Sequence, residues 1–163
     1  MQSSYQKRIR FLCSAAIIAA LYVVFTLISS MIGLSSGVIQ LRISEALIAA
    51  VAFTPAAIPG LFVGCIIANI LTGAVLWDIV FGSLATLIGA LGGWLLRKNK
   101  WLLTIPTIVA NAVIIPFILR YAYGAEGALP FFILTVGIGE IISSGVFGIL
   151  LYHLFKKYEK HLF

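Results

Sequence analysis

Long apolar runs separated by short polar breaks constrain this chain more than any other feature. One bilayer crossing needs about 20 mostly apolar residues. Six runs near that length follow one another, at about residues 11–32, 38–53, 59–75, 79–96, 101–119 and 128–155. Only 11 basic and 5 acidic residues are spread over 163 positions, and 62% of the chain is hydrophobic. The mean hydropathy is +1.14. A soluble domain carries about a quarter charged residues. The composition excludes a soluble globular protein, a disordered tail and a nucleic-acid-binding module. The expected fold class is an all-α integral membrane protein, a bundle of six transmembrane helices. It forms a single transmembrane domain, 1–163, with no room for a second.

The formal net charge of +6 is positional. Lys7, Arg8 and Arg10 form one cluster, Arg97, Lys98 and Lys100 a second, and Lys156, Lys157 and Lys160 a third. Each borders an apolar run, the pattern that fixes orientation in a bilayer, because positive flanks stay cytoplasmic. Six spans put both termini on one side, and all three clusters fall on that side. No nucleic-acid partner is expected. The first run follows a basic start, as a signal peptide's would, but exceeds a signal h-region and is read as a retained span. Cys13 and Cys65 lack any CxxC or Cys/His neighbour, so packing is their expected role.

The breaks have local causes. Gly33 to Gly37 reads as a flexible turn. Pro55 and Pro59 bracket a short connection, because proline lacks an N–H and disfavours helix before it. The chain turns again around Trp77 and Asp78, and Arg120 to Gly127 is a polar loop. Pro106 and Pro116 fall inside the fifth run. Small residues recur at helical spacing: Ala15/Ala19 and Ala16/Ala20, then Gly60, Gly64 and Ala68, then Gly82, Thr86, Gly89 and Gly93. Such stripes let helices approach closely in lipid, and internal packing is their plainer reading.

With nine basic residues and Glu159 assigned to one flank, Arg42, Glu45, Asp78, Arg120, Glu126 and Glu140 remain. A charge at mid-bilayer costs a few kcal/mol. Glu140 therefore faces the bundle interior, a cavity or a partner. Gly137, Ser144 and Gly148 share its helical face. The candidate solute-binding residues are Glu140, Glu45, Arg42, Asn69, Trp77, Asp78 and Asn111. Plainer readings stand beside them. Arg42 and Glu45 at i,i+3 can neutralise each other. Glu140 can make a structural hydrogen bond or be protonated. Asn69 and Asn111 can glue helices, and Trp77 can sit in an interfacial belt.

An enzyme is not expected. There is no Gly-x-x-x-x-Gly-Lys-Ser/Thr, so ATP phosphates cannot be cradled in the P-loop way. His153 and His161 lie at the basic end without metal spacing, and no Ser/His/Asp set can be drawn. No cofactor or metal is expected in this chain. A subunit of an importer and a stand-alone channel or secondary carrier both remain open.

The stretch Val38-Ile-Gln-Leu-Arg-Ile-Ser-Glu-Ala-Leu47, followed by Phe53-Thr-Pro-Ala-Ala-Ile-Pro-Gly-Leu-Phe62, resembles the QueT family. So does Asn69-Ile-Leu-Thr-Gly-Ala-Val-Leu-Trp-Asp-Ile-Val-Phe-Gly-Ser-Leu-Ala-Thr86. The resemblance covers essentially the whole chain and is most specific from 38 to 86. It implies a queuosine-precursor-binding S component of a bacterial energy-coupling factor (ECF) transporter, in the cytoplasmic membrane. The implied partners are a membrane scaffold subunit and two ATPase subunits. The implied solute is a deazaguanine of the aminomethyl type, with another vitamin-like solute as the rival. S components commonly dock through Ala-x-x-x-Ala on the first helix. Ala15, Ala16, Ala19 and Ala20 match it in two overlapping copies, and the choice between them stays open. For such a solute, Glu140 is expected to accept hydrogen bonds from the guanine-like edge. Glu45 or Asp78 would face the cationic group, and Trp77 would stack on the ring.

Overall fold

The computed structural model describes residues 4–34 and 40–162. Every regular element among them is helical. The first, α1, runs Ser4–Met31. At 1.5 Å per residue it is about 42 Å long, more than the roughly 30 Å hydrocarbon core of a bilayer. Three helices are long and apolar enough to cross a membrane: Ser4–Met31, Asp78–Leu96 and Leu129–Glu159. Three shorter apolar helices occupy the remaining runs, at Ile43–Ala52, Ala57–Leu71 and Ile105–Tyr121.

The second run departs most from expectation. Part of it, Val38 and Ile39, lies outside the described residues, as do Ser35 to Gly37 of the expected turn. Arg42 is extended (φ −108°, ψ 101°), and a 3₁₀ helix of 10 residues follows, Ile43–Ala52. At about 2 Å per residue this helix is roughly 20 Å long, too short to cross alone. It avoids lipid instead. Every residue from Ser44 to Val51 is buried in protein. Irregular backbone is tolerated at membrane depth only where protein surrounds it. The core forms around this element: Leu47, Ile48 and Val51 pack with Ile18 and Tyr22 of α1 and with Leu61 and Cys65 of the next helix.

That next helix, α2, spans Ala57–Leu71. Thr54-Pro55 breaks the chain before it, as expected. Pro59, expected to close the connection, lies instead in the first turn of α2, where its missing N–H costs nothing. Helix α3, Ser83–Leu96, is entered through a π-helical turn at Asp78–Gly82. Helix α4 covers Ile105–Tyr121 and starts four residues later than its apolar run, because Pro106 suits a first turn. Helix α5, Leu129–Glu140, passes through a π segment, Ile141–Phe147, into α6, Gly148–Leu162.

The small-residue stripes are packing surfaces. A Cβ on Gly60 would lie 2.8 Å from the Ala15 carbonyl oxygen, and one on Gly64 would lie 3.0 Å from Ala19 Cα. Likewise Gly89 sits against Thr107 and Gly93 against Leu103, closing α3 on α4. The two alanine pairs of α1 thereby separate. Ala15 and Ala19 face α2, whereas Ala16 and Ala20 are exposed.

Candidate functional site

Side chains one face apart on α1 hold the start of the 3₁₀ helix. Tyr22, Thr26 and Ser29 follow at spacings of four and three, which places them in one stripe. The Tyr22 hydroxyl donates to the Glu45 carboxylate. The Thr26 hydroxyl bonds the Ser44 hydroxyl at 2.8 Å. The backbone N–H of Ile43 donates to Ser29 Oγ at 3.0 Å. This places the Arg42–Glu45 turn between α1 and the helices on its other side.

Arg42 does not pair with Glu45. Its guanidinium reaches the Asp78 carboxylate at 3.3 Å, 36 residues away. The Tyr123 hydroxyl donates to the same carboxylate oxygen at 3.0 Å. Partial burial, and then the Asp78 charge, push the Tyr123 hydroxyl above its ordinary pKa, so it stays a donor. Asn69 donates to the backbone carbonyl of Asp78 at 3.2 Å, which ties α2 to the π turn. The other Asp78 oxygen, Oδ1, has no hydrogen-bond partner. It lies over Gly82, where a Cβ would come within 2.6 Å. Gly82→Ala is therefore expected to swing the carboxylate away from Arg42 and Tyr123. The loss expected is about 1–3 kcal/mol, the cost of unpairing buried polar groups. Thermal melting of the detergent-solubilised variant measures it, and an unchanged Tm would show that the carboxylate moves freely.

Glu140 makes the structural bond open to it: Ser144 Oγ donates to Oε2 at 2.7 Å. Asn111 is buried nearby on α4, its amide nitrogen without a hydrogen bond of normal geometry.

Two adjoining cavities gather these groups. The wider, about 370 Å³, is lined among others by Thr26, Gln40, Arg42, Asn69, Asp78 and Tyr123. The narrower is a crevice of about 10 Å³ between Arg42, Glu45, Asn111 and Glu140, with Gln40, Ile115 and Val136. Gln40, Arg42 and Ile115 border both. Six of the seven candidate residues thus meet in one place. Trp77 does not. It is 60% exposed and stacked on Phe81, at 5.5 Å between ring centroids. It lines an apolar groove with Phe117 and Tyr121 instead. Arg120 bonds the Gly127 carbonyl in the connection between α4 and α5 and lines neither cavity. The residues not foreseen are Tyr22, Thr26, Gln40 and Tyr123. A polar stripe at 22, 26 and 29 within an apolar span was the available signal for the first two.

All three buried acids stand at irregular turns: Glu45 in the 3₁₀ helix, Asp78 opening one π segment, and Glu140 preceding the other. Such turns re-aim side chains and recur at functional sites. The charge balance is uneven. Among the described residues Arg42 is the one base beside three buried acids, and Asp78 takes it. Glu45 and Glu140 have no basic side chain in ion-pair contact among the described residues. Buried charges are normally paired. The crevice thus brings two acidic side chains, Glu45 and Glu140, to one point.

Residues 12–157 match the family model described as QueT transporter. A curated protein of Lactococcus lactis subsp. cremoris (strain MG1363), named "Queuosine precursor transporter QueT", is 39% identical over 74 residues. That stretch spans 45% of this chain and 43% of the relative, less than half of either. No solved structure matches the chain.

Proposed function

The chain belongs to the QueT transporter family, and from that premise we propose that it is the substrate-binding S component of an ATP-driven ECF importer. In this reading it crosses the bacterial cytoplasmic membrane six times with both termini inside. Its solute is a deazaguanine carrying an aminomethyl group. The observation that carries the reading is the pair of buried carboxylates, Glu45 and Glu140, sharing a crevice while Arg42 is held by Asp78.

We assign the parts of the solute by size. A crevice of about 10 Å³ has room for about one water-sized group. An ammonium is that size and a purine-like ring is not. The ring belongs in the 370 Å³ cavity, beside Asn69, Asp78 and Gln40. Adjacent ring N–H donors can be met there by a carboxylate or an amide. The ammonium then enters between Glu45 and Glu140. This reverses the order expected from sequence, in which Glu140 met the ring edge. Trp77 is left outside the polar cavity and keeps an interfacial role.

A transporter subunit without a P-loop needs ATP hydrolysis on other chains. A scaffold subunit and two ATPase subunits supply it in this proposal. The exposed pair Ala16 and Ala20 is the docking copy, because Ala15 and Ala19 are engaged with α2.

Equilibrium binding to the purified protein tests the reading. Aminomethyl-deazaguanine is expected to bind at least about tenfold more tightly than its neutral methyl analogue, the weight of one charge-assisted contact. Pterins and vitamins are expected to bind more weakly than either. Equal binding of the two deazaguanines, or tighter binding of another vitamin, would reject it.

A further inference from the structure

The 3₁₀ helix that carries Glu45 has little of its own to fix its rotation. Its first residue follows an extended Arg42, whose own side chain makes no capping bond. Hydrogen bonds in 3₁₀ geometry are poorer than in an α-helix, and each residue turns the helix by about 120°. A slip of one residue would carry Glu45 out of the crevice altogether. Packing alone marks the rotation weakly, because the side chains that follow Glu45 on this helix are all aliphatic: Ala46, Leu47, Ile48, Ala49, Ala50 and Val51. What distinguishes one rotation from another is the polar stripe of α1. Tyr22 meets Glu45, Thr26 meets Ser44, and Ser29 meets the Ile43 N–H. Each successive residue of the turn has its own partner.

We infer that Tyr22 is a selectivity-determining positioning residue: its hydroxyl holds the Glu45 carboxylate in the crevice, and with Thr26 and Ser29 it makes α1 the template for the rotation of the Arg42–Glu45 turn. The ring of Tyr22 belongs to the core, where phenylalanine would pack equally well. A phenol hydroxyl costs free energy to bury unless it is bonded. Its bond to Glu45 leaves the second carboxylate oxygen for the solute. Thr26 also lines the wider cavity, so the same stripe touches both parts of the site.

This inference rests on the proposal that Glu45 faces a cationic group, and the experiment separates the two. Full-length purified protein is titrated with aminomethyl-deazaguanine and with the methyl analogue. The variants are Tyr22→Phe, Glu45→Gln and the two combined. Tyr22→Phe is expected to weaken the amine-bearing ligand about tenfold and the methyl analogue less than about twofold. In the Glu45→Gln background the same change should cost neither ligand more than about twofold, because the carboxylate it positions is gone. Equal losses for both ligands would show a merely structural tyrosine and overturn the inference, as would no loss. If Glu45→Gln abolishes the preference for the amine while Tyr22→Phe keeps it, only the role of Tyr22 falls. If Glu45→Gln itself keeps the preference, the cationic contact is wrong and this inference fails with it. Should Tyr22→Phe not fold, Thr26→Val takes its place. It is expected to lower the amine preference about threefold through the lost bond to Ser44, and an unchanged preference would overturn the template.

Discussion

Glu140→Gln is expected to weaken binding of aminomethyl-deazaguanine by about 10- to 150-fold. A hydrogen bond involving a charged group contributes roughly 1.5–3 kcal/mol, and 1.4 kcal/mol is a factor of ten. The loss stops short of complete because Glu45 remains in the crevice and still attracts the ammonium. The methyl analogue should change by less than about twofold, since it brings no charge to Glu140. The fold should persist. Glutamine fills the same volume, its carbonyl oxygen can accept from Ser144, and an amide is less costly to bury than a carboxylate. The Tm is therefore expected to hold or rise. Isothermal titration with both ligands measures the effect. Parent-like affinity for the amine would remove Glu140 from the site. Equal losses for both ligands would mean that Glu140 only shapes the cavity.

Combining Ala16→Leu with Ala20→Leu is expected to abolish solute uptake by cells and co-purification with scaffold and ATPase subunits. Both alanines are exposed on α1, and two leucines there hold a partner helix several ångströms off a surface that close approach requires. Solute affinity of the isolated chain should stay within about twofold, because the polar stripe at 22, 26 and 29 lies away from this face. Ala19→Leu serves as the contrast. Ala19 is buried against Gly64, so its enlargement should destabilise the chain itself by about 1–3 kcal/mol. Uptake that survives the double substitution, or that proceeds with no partner subunits, would reject the ECF reading in favour of a stand-alone carrier. Lost solute affinity with intact assembly would show that this face serves the chain's own core.

The legible part of this protein was its local chemistry. Apolar runs with prolines and glycines between them mark six helical segments, with ends off by up to seven residues, because a backbone in lipid must satisfy its hydrogen bonds inside its own segment. The cost of burying charge marked Glu140 as inward-facing, and it is buried, as are Glu45 and Asp78. Small-residue stripes correctly marked close helix contacts at Gly60, Gly64, Gly89 and Gly93. Each of these follows from a residue and its immediate neighbours along the chain.

Pairing did not follow in that way. Spacing offered Arg42 a partner three residues on, at Glu45, yet the guanidinium reaches Asp78 across 36 positions. The reason is geometric. Arg42 lies in extended backbone ahead of the 3₁₀ helix, so helical spacing does not govern its side chain, and Asp78 takes the guanidinium. Trp77 is adjacent to Asp78 in the chain and still faces the apolar groove, because a helix turns about 100° between neighbours. Two alanine pairs with identical spacing differ only in what lies opposite them, α2 for one and open surface for the other. Burial, helix content and the identity of the costly charges are properties of short stretches. Which charge neutralises which, and which carboxylates are left without a basic partner, depends on helices brought together from 23 to 36 residues apart, and that was decided only when they packed.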